Sequence, residues 1–151
     1  MRNKINYLFI PLILILGQCN MGNHNVIKVS DNSLTESAIN LYKKNDYLHA
    51  KEAFDKVLQK DSSNGLIIYQ TAYCKGQLLE FNGSIKDLEK AIELNYSPDT
   101  SNYAIGLDYI ALDNDSLALK YFYKAYSLNK NYEEAKYEII HAKRRLHIKE
   151  N

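Results

Sequence analysis

Tryptophan is absent from this chain of 151 residues, and proline and glycine are scarce, at two and six. Strand-and-turn folds consume turn residues, so this scarcity excludes a turn-rich β architecture and favours long helices. Cysteine is nearly missing as well. Cys19 and Cys74 are too few for a disulfide framework and lack metal-ligand spacing. Nor is there an excess of either charge: 19 basic residues face 18 acidic ones, so nothing pulls the chain toward nucleic acid. The length fits one domain plus a leader. Tyrosine is what the chain has in abundance, at 13.

Chemistry-bearing patterns are missing too. There is no Gly-rich phosphate loop and no Ser-His-Asp arrangement, so the chain reads as a non-enzyme that needs no cofactor. The four histidines are scattered. His24 lies near the start, His49 lies in a helical stretch, and His141 and His147 are six residues apart, on different helix faces. None of them suggests a metal site. Asp113-Asn114-Asp115 lacks the glycine and distal glutamate of a calcium loop and reads as a turn. Cys74, among apolar neighbours, reads as a buried thiol.

The strongest signal is a repeat of 34 residues. Ala38, Ala72 and Gly106 fall in one column. Ala50, Ser84 and Ala118 form a second, Phe54, Leu88 and Phe122 a third, and Val57, Ala91 and Ala125 a fourth. Leu58, Ile92 and Tyr126 make a fifth. Small recurs with small and large apolar with large, and such a period marks a helical repeat array. Each unit holds two helical patterns. In the first, Ser33 with Glu36 forms a capping box for a helix to about Asn45. Asn45-Asp46 turns the chain, a helix follows from Tyr47 to about Lys60, and residues 61–64 close the unit. In the second, helices are expected at about Leu66–Leu79 and Ser84–Leu94, with Asn82-Gly83 as the break. In the third they are expected at about Asp99–Leu112, with Ser97 as cap and Pro98 in the first turn, and at Ser116–Leu128. Tyr132 to Ile148 reads as a capping helix, with Tyr137, Ile140, Ala142 and Leu146 as candidates to pack inward. Its acidic start and basic end complement the helix dipole.

The chain begins differently. Arg2 and Lys4 precede an eleven-residue apolar run, Tyr7 to Gly17. A span needs about 20 residues, so the run is too short to cross a bilayer and reads as an export signal, or else as an uncleaved interfacial anchor. It ends in Leu16-Gly17-Gln18-Cys19, which resembles the lipobox of bacterial lipoproteins. Leu16 and Cys19 match, while Gln18 stands where that family prefers a small residue. The resemblance implies cleavage after Gln18, acyl chains on Cys19, and, since Asn20 rather than Asp follows, the outer membrane of the bacterial envelope. The alternative is an ordinary secretory signal and a periplasmic or secreted protein. Loss of Arg2 and Lys4 would leave 17 basic residues against 18 acidic ones, so charge would not hold the protein to an anionic membrane. The organisation expected is thus a signal peptide at 1–18, lipidated Cys19 and a tether to 32, and a repeat domain at 33–149. The repeats cover about 31–64, 65–98 and 99–132, and the cap 133–149.

The columns resemble those of the tetratricopeptide repeat. The third unit carries Gly106, Tyr109, Ala118, Phe122 and Ala125. The first carries Ala38, Tyr47, Ala50 and Phe54, with Leu41 and Val57 as departures. The second carries Ala72, Phe81, Leu88, Ala91 and Ile92, with departures at Lys75, Gly83 and Ser84. The resemblance implies an all-α solenoid of three helix hairpins plus the capping helix. It also implies a concave groove lined by the first helix of each hairpin. Carried over, the lining is Asn32, Thr35, Ile39 and Tyr42, then Leu66, Tyr69, Tyr73 and Gly76, then Thr100, Tyr103, Leu107 and Ile110. Tyr42, Tyr69, Tyr73, Tyr103, Leu107 and Ile110 are the candidate partner contacts. Tyrosine suits that role, with large area and a polar tip; the same rings could instead cover packing seams. Family members that capture a peptide carboxylate use a basic clamp here, but Thr35, Ile39, Tyr73, Thr100 and Ala104 supply no base. The function expected is a lipid-anchored module that binds a protein or peptide segment. The alternative is a structural subunit of an envelope assembly that docks by its convex face or its end.

Overall fold

A computed structural model describes residues 29–148, with side chains from Ser33 onward. Within them the chain forms seven helices: α1 (Val29–Lys43), α2 (Tyr47–Lys60), α3 (Gly65–Gln77), α4 (Phe81–Glu93), α5 (Pro98–Ala111), α6 (Asp115–Leu128) and α7 (Glu133–Arg145). Each helix packs on its neighbours in sequence, so α1–α2, α3–α4 and α5–α6 stack as three hairpins and α7 closes the last. The described residues are an all-α solenoid, as expected. Cys19, the leader and the first part of the tether lie outside them.

The 34-residue columns explain the packing. Ala38, Ala50, Ala72, Ala91, Ala118 and Ala125 are fully buried, where helices approach too closely for anything larger. Gly106 is the extreme case, since a methyl group there would collide with the Phe122 ring. Phe54, Leu88 and Phe122 fill the space beside these small residues. Three clusters result, each spanning a hairpin and the first helix of the next unit. One joins Phe54 and Val57 to Ile67 and Cys74. A second joins Ile85 and Leu88 to Ile105. The third joins Tyr103 and Phe122 to Ala135 and Ile139 of α7. No hairpin completes its core alone, which is why such units must stack.

The turns follow the same period. Asn45, Leu79, Asp113 and His147 all adopt left-handed backbone, with φ between 55° and 64°, at intervals of 34 residues. Asn and Asp tolerate that region; leucine does not. Three helices, α2, α3 and α6, are capped by a local side chain. The Asp46 side chain accepts from His49 N–H, Asn64 from Ile67 N–H and Asn114 from Leu117 N–H.

Four expectations need correction. First, α1 begins at Val29, so Ser33 lies inside the helix rather than capping it. Second, α4 begins at Phe81, with Asn82 and Gly83 in its first turn. The chain turns at Leu79 instead, because the stacked hairpin fixes the backbone and tertiary packing overrides the local Asn-Gly signal. Third, Ser97 precedes α5 as expected but is itself left-handed, at φ 41°, and makes no side-chain capping bond. Fourth, the inward face of α7 is Ala135, Ile139 and Ala142, a stripe at helical spacing; Tyr137 is 60% exposed, and Ile140 and Leu146 are half-buried.

Candidate partner-binding groove

The first helices α1, α3 and α5 carry the candidate groove residues, and α7 follows them in the same register. Tyrosines dominate these positions. At the α1 end, Tyr42 packs edge-on against Tyr73 with ring centres 5.5 Å apart, and both meet Tyr47, at 6.2 and 5.9 Å. Tyr42 also touches Phe54, so this cluster grows directly out of the core. Tyr47 is fixed by donating to Asn45 Oδ1 at 2.8 Å. Tyr73 keeps 36% of its surface exposed and offers the most open ring of the set in α1–α5.

Further along, Tyr69 packs on Tyr96 at 5.8 Å, and Tyr103 lies between Phe122 at 5.6 Å and Tyr132 at 5.0 Å. Burial raises the hydroxyl pKa of Tyr42, Tyr69, Tyr73 and Tyr132, and pushes that of Tyr103 up to about 12. All stay neutral in any ordinary buffer, so they act as apolar rings with a hydrogen-bonding tip. Glu134 and Asp99 add to the shift at Tyr132, and Glu134 and Glu138 to that at Tyr103.

The six candidate residues therefore divide. Tyr42, Tyr69 and Tyr73 come together at the α1–α3 end, Tyr69 more deeply seated than Tyr73. Tyr103 is only 8% exposed and belongs to the third cluster. Leu107 and Ile110 are half-buried against that same cluster. Thr35 and Ile39 are half-buried on α1, while the side chain of Asn32 lies outside the described set.

Sequence reasoning missed the fourth wall. Tyr137 continues the column of Tyr69 and Tyr103 at the same 34-residue interval, and that was the signal that could have found it. Tyr96 covers Tyr69 and Tyr132 covers Tyr103. Tyr137 stacks only on His141 of its own helix, at 4.2 Å. A cleft of about 550 Å³ opens beside it, lined by Tyr103, Glu133, Glu134, Lys136, Tyr137 and Ile140.

On the outer layer, α4 and α6 frame a second cleft of about 600 Å³ that includes Glu89, Glu93, Tyr121, Lys124 and Leu128. Tyr121 donates to Glu89 Oε1 at 3.1 Å across it, and Lys124 lies over the Tyr121 ring. Cys74 is fully buried and its thiol is pushed up to about 12, so it is unreactive in the folded state. Among the described residues no cluster of three metal-binding side chains occurs, and no helix is long and apolar enough to cross a membrane.

This architecture is that of the tetratricopeptide-type helical solenoids. The chain is similar to the first tetratricopeptide domain of Spaghetti (RPAP3) bound to the HSP90 peptide SRMEEVD, with a TM-score of 0.71 and 22% identity, covering 82% of this chain and 98% of that one. It is similar to MamA, with a TM-score of 0.74, 19% identity and coverage of 78% and 69%. It is also similar to the Yersinia enterocolitica type III secretion chaperone SycD in complex with a peptide of the translocator YopD, with a TM-score of 0.72, 12% identity and coverage of 81% and 98%. At these identities the likeness is one of fold. No protein-family model matches the chain, and no curated protein matches it in sequence.

Proposed function

We propose that this chain is a non-catalytic interaction module that holds an extended segment of a partner protein in the groove of α1, α3, α5 and α7. The observation that carries this reading is the tyrosine lining: large rings with polar tips, repeated along an inner face and open at Tyr73 and Tyr137. Rigid aromatic area of this kind supplies binding energy with little entropy to lose. Structural neighbours of the same fold hold peptides of HSP90 and of YopD, which supports a segment as the ligand class.

Attachment is the second part of the proposal. Acyl chains on Cys19 would hold the domain at the bacterial envelope, at the outer membrane, since each buried methylene contributes about 0.8 kcal/mol. A soluble periplasmic or secreted form is the alternative, and the mass of the mature N-terminus separates them. Cys19→Ser is expected to release the protein from membranes or leave an uncleaved precursor. A mature chain that begins at an unmodified residue other than Cys19 ends the lipid proposal.

A competing reading has the outer cleft between α4 and α6 as the docking surface of an assembly subunit, favoured by exposed Leu128 beside it. A photo-crosslinking residue placed at Tyr73 or at Glu93 discriminates the two. The groove reading expects partner adducts from position 73 and none from 93. Adducts from 93 alone would transfer the function to the outer face.

A further inference from the structure

We infer that the α5–α7 end of the groove receives a basic side chain, an arginine or lysine carried on an otherwise apolar partner segment. This deepens the groove reading and rests on it. The cleft there combines two kinds of group that together favour a cation. The first is aromatic: Tyr137 presents an exposed ring, and Tyr103 forms part of the wall. A cation over such a ring is attracted to its face. The second is acidic. Glu133 and Glu134 line the cleft, and Glu138 lies close enough to act on Tyr103.

The cations already present leave this acidity uncompensated. Lys136 bonds Glu133 at 3.3 Å. Arg145, the strongest positive influence on Glu138, is committed to Asp115 at 2.6 Å. Glu134 has no ion-pair partner among the described residues. Burial raises the Glu138 carboxyl in spite of Arg145 and His141, so an added positive charge would relieve it.

Tyr103 points independently to a ligand. Its side chain is more than nine-tenths buried, it lines the cleft, and its hydroxyl makes no hydrogen bond among the described residues. That hydroxyl is not sealed in the core but opens onto the cleft, where an ammonium or guanidinium N–H finds it as an acceptor. Charge also opposes the reverse arrangement. An acidic segment would meet Glu134, while Lys136 of the cleft is already bonded to Glu133 and Thr35, Ile39, Tyr73, Thr100 and Ala104 are all uncharged.

The test uses the full chain in a non-ionic detergent and three fluorescent seven-residue peptides. All share a leucine-rich frame, with two positions filled by arginine, glutamine or glutamate. Fluorescence anisotropy is expected to rank arginine above glutamine by about fivefold to tenfold, with glutamate weakest, and the preference should shrink at high salt. Glu134→Gln should abolish the arginine advantage. Tyr103→Phe, which keeps the ring and hence the packing, should reduce it. If all three peptides bind alike, or if arginine is still preferred in Glu134→Gln, the inference fails while crosslinking at position 73 leaves the groove reading standing. If no peptide binds and position 73 gives no adduct, both fail.

Discussion

Asp108 stands in a column where its counterparts are Cys74 and Ala142, 34 residues to either side. All three are buried. Asp108 is only 8% exposed and faces Gly76 of α3 and Ser84 of α4; one carboxylate oxygen has no partner. Burial pushes its pKa up to about 6, opposed by the hydrogen bond from Ser84. A carboxyl raised on folding favours the folded state when protonated. The contribution of this group to stability should therefore be greatest below about pH 4, fall between pH 4 and 6, and level off above, by about 2–3 kcal/mol. Asp108→Asn should flatten this contribution and raise the melting temperature at pH 7, as thermal unfolding across pH 4–7 would reveal. An unchanged pH profile would remove Asp108 from the account. Leu79 is the second misfit at this scale. It holds φ 64° with 71% of its surface exposed, where Asn45 and Asp113 occupy the equivalent turns. Leu79→Asn should raise unfolding free energy by about 0.5–1 kcal/mol, measured by urea titration.

At the scale of the element, α7 does two jobs with two faces. Ala135 and Ile139 seal the third cluster and Ala142 is buried on the same face, while Tyr137 and Glu134 line the cleft beside Tyr103. Ile139→Ala should cost about 2–4 kcal/mol, because the cavity opens onto Tyr103 and Phe122. Tyr137→Ala, by contrast, should leave the urea midpoint nearly unchanged, since its ring is exposed. The repeat made α2, α5 and α6 readable to within one residue, because turn residues and apolar spacing agreed there. It failed at the start of α1, at α4 and on α7. Asn82-Gly83 is a strong local turn signal, but the position is fixed by packing against α3, where Gly83 accommodates Lys75. On α7 the inward stripe consists of two alanines and one isoleucine, so the larger Tyr137 drew the eye. Carrying the 34-residue register one step further would have put Tyr137 in the groove. In the α1–α3 half the repeat columns place Tyr42, Tyr69 and Tyr73 on neighbouring first helices, but only Tyr73 is exposed. The depth of Tyr103 was not legible, because its burial depends on Tyr132, a residue outside the repeat columns.

For the whole molecule, the three clusters each bridge a hairpin to the following helix, so cohesion is passed from neighbour to neighbour. Polar links reinforce two of these junctions from outside. Lys51 reaches Glu80 at 2.7 Å, from α2 to the turn before α4, and Tyr121 reaches Glu89 from α6 to α4. Such exposed bonds contribute modestly, about 0–1 kcal/mol each, so apolar stacking decides. A linear array of this kind is expected to lose its end unit first. Hydrogen exchange should find α7 and α6 least protected if the C-terminal junction is the weaker one, and uniform protection would instead indicate one cooperative block.

Cys74 turns that question into a clock. Its sulfur is sealed where α3 meets the first hairpin, and its high pKa leaves almost no thiolate while the seal holds. Alkylating reagent in solution can mark it only during the intervals when that junction parts. At reagent concentrations where alkylation outpaces reclosure, the rate at which the Cys74 peptide gains mass counts openings at one chosen seam, taken from an atom the protein already contains.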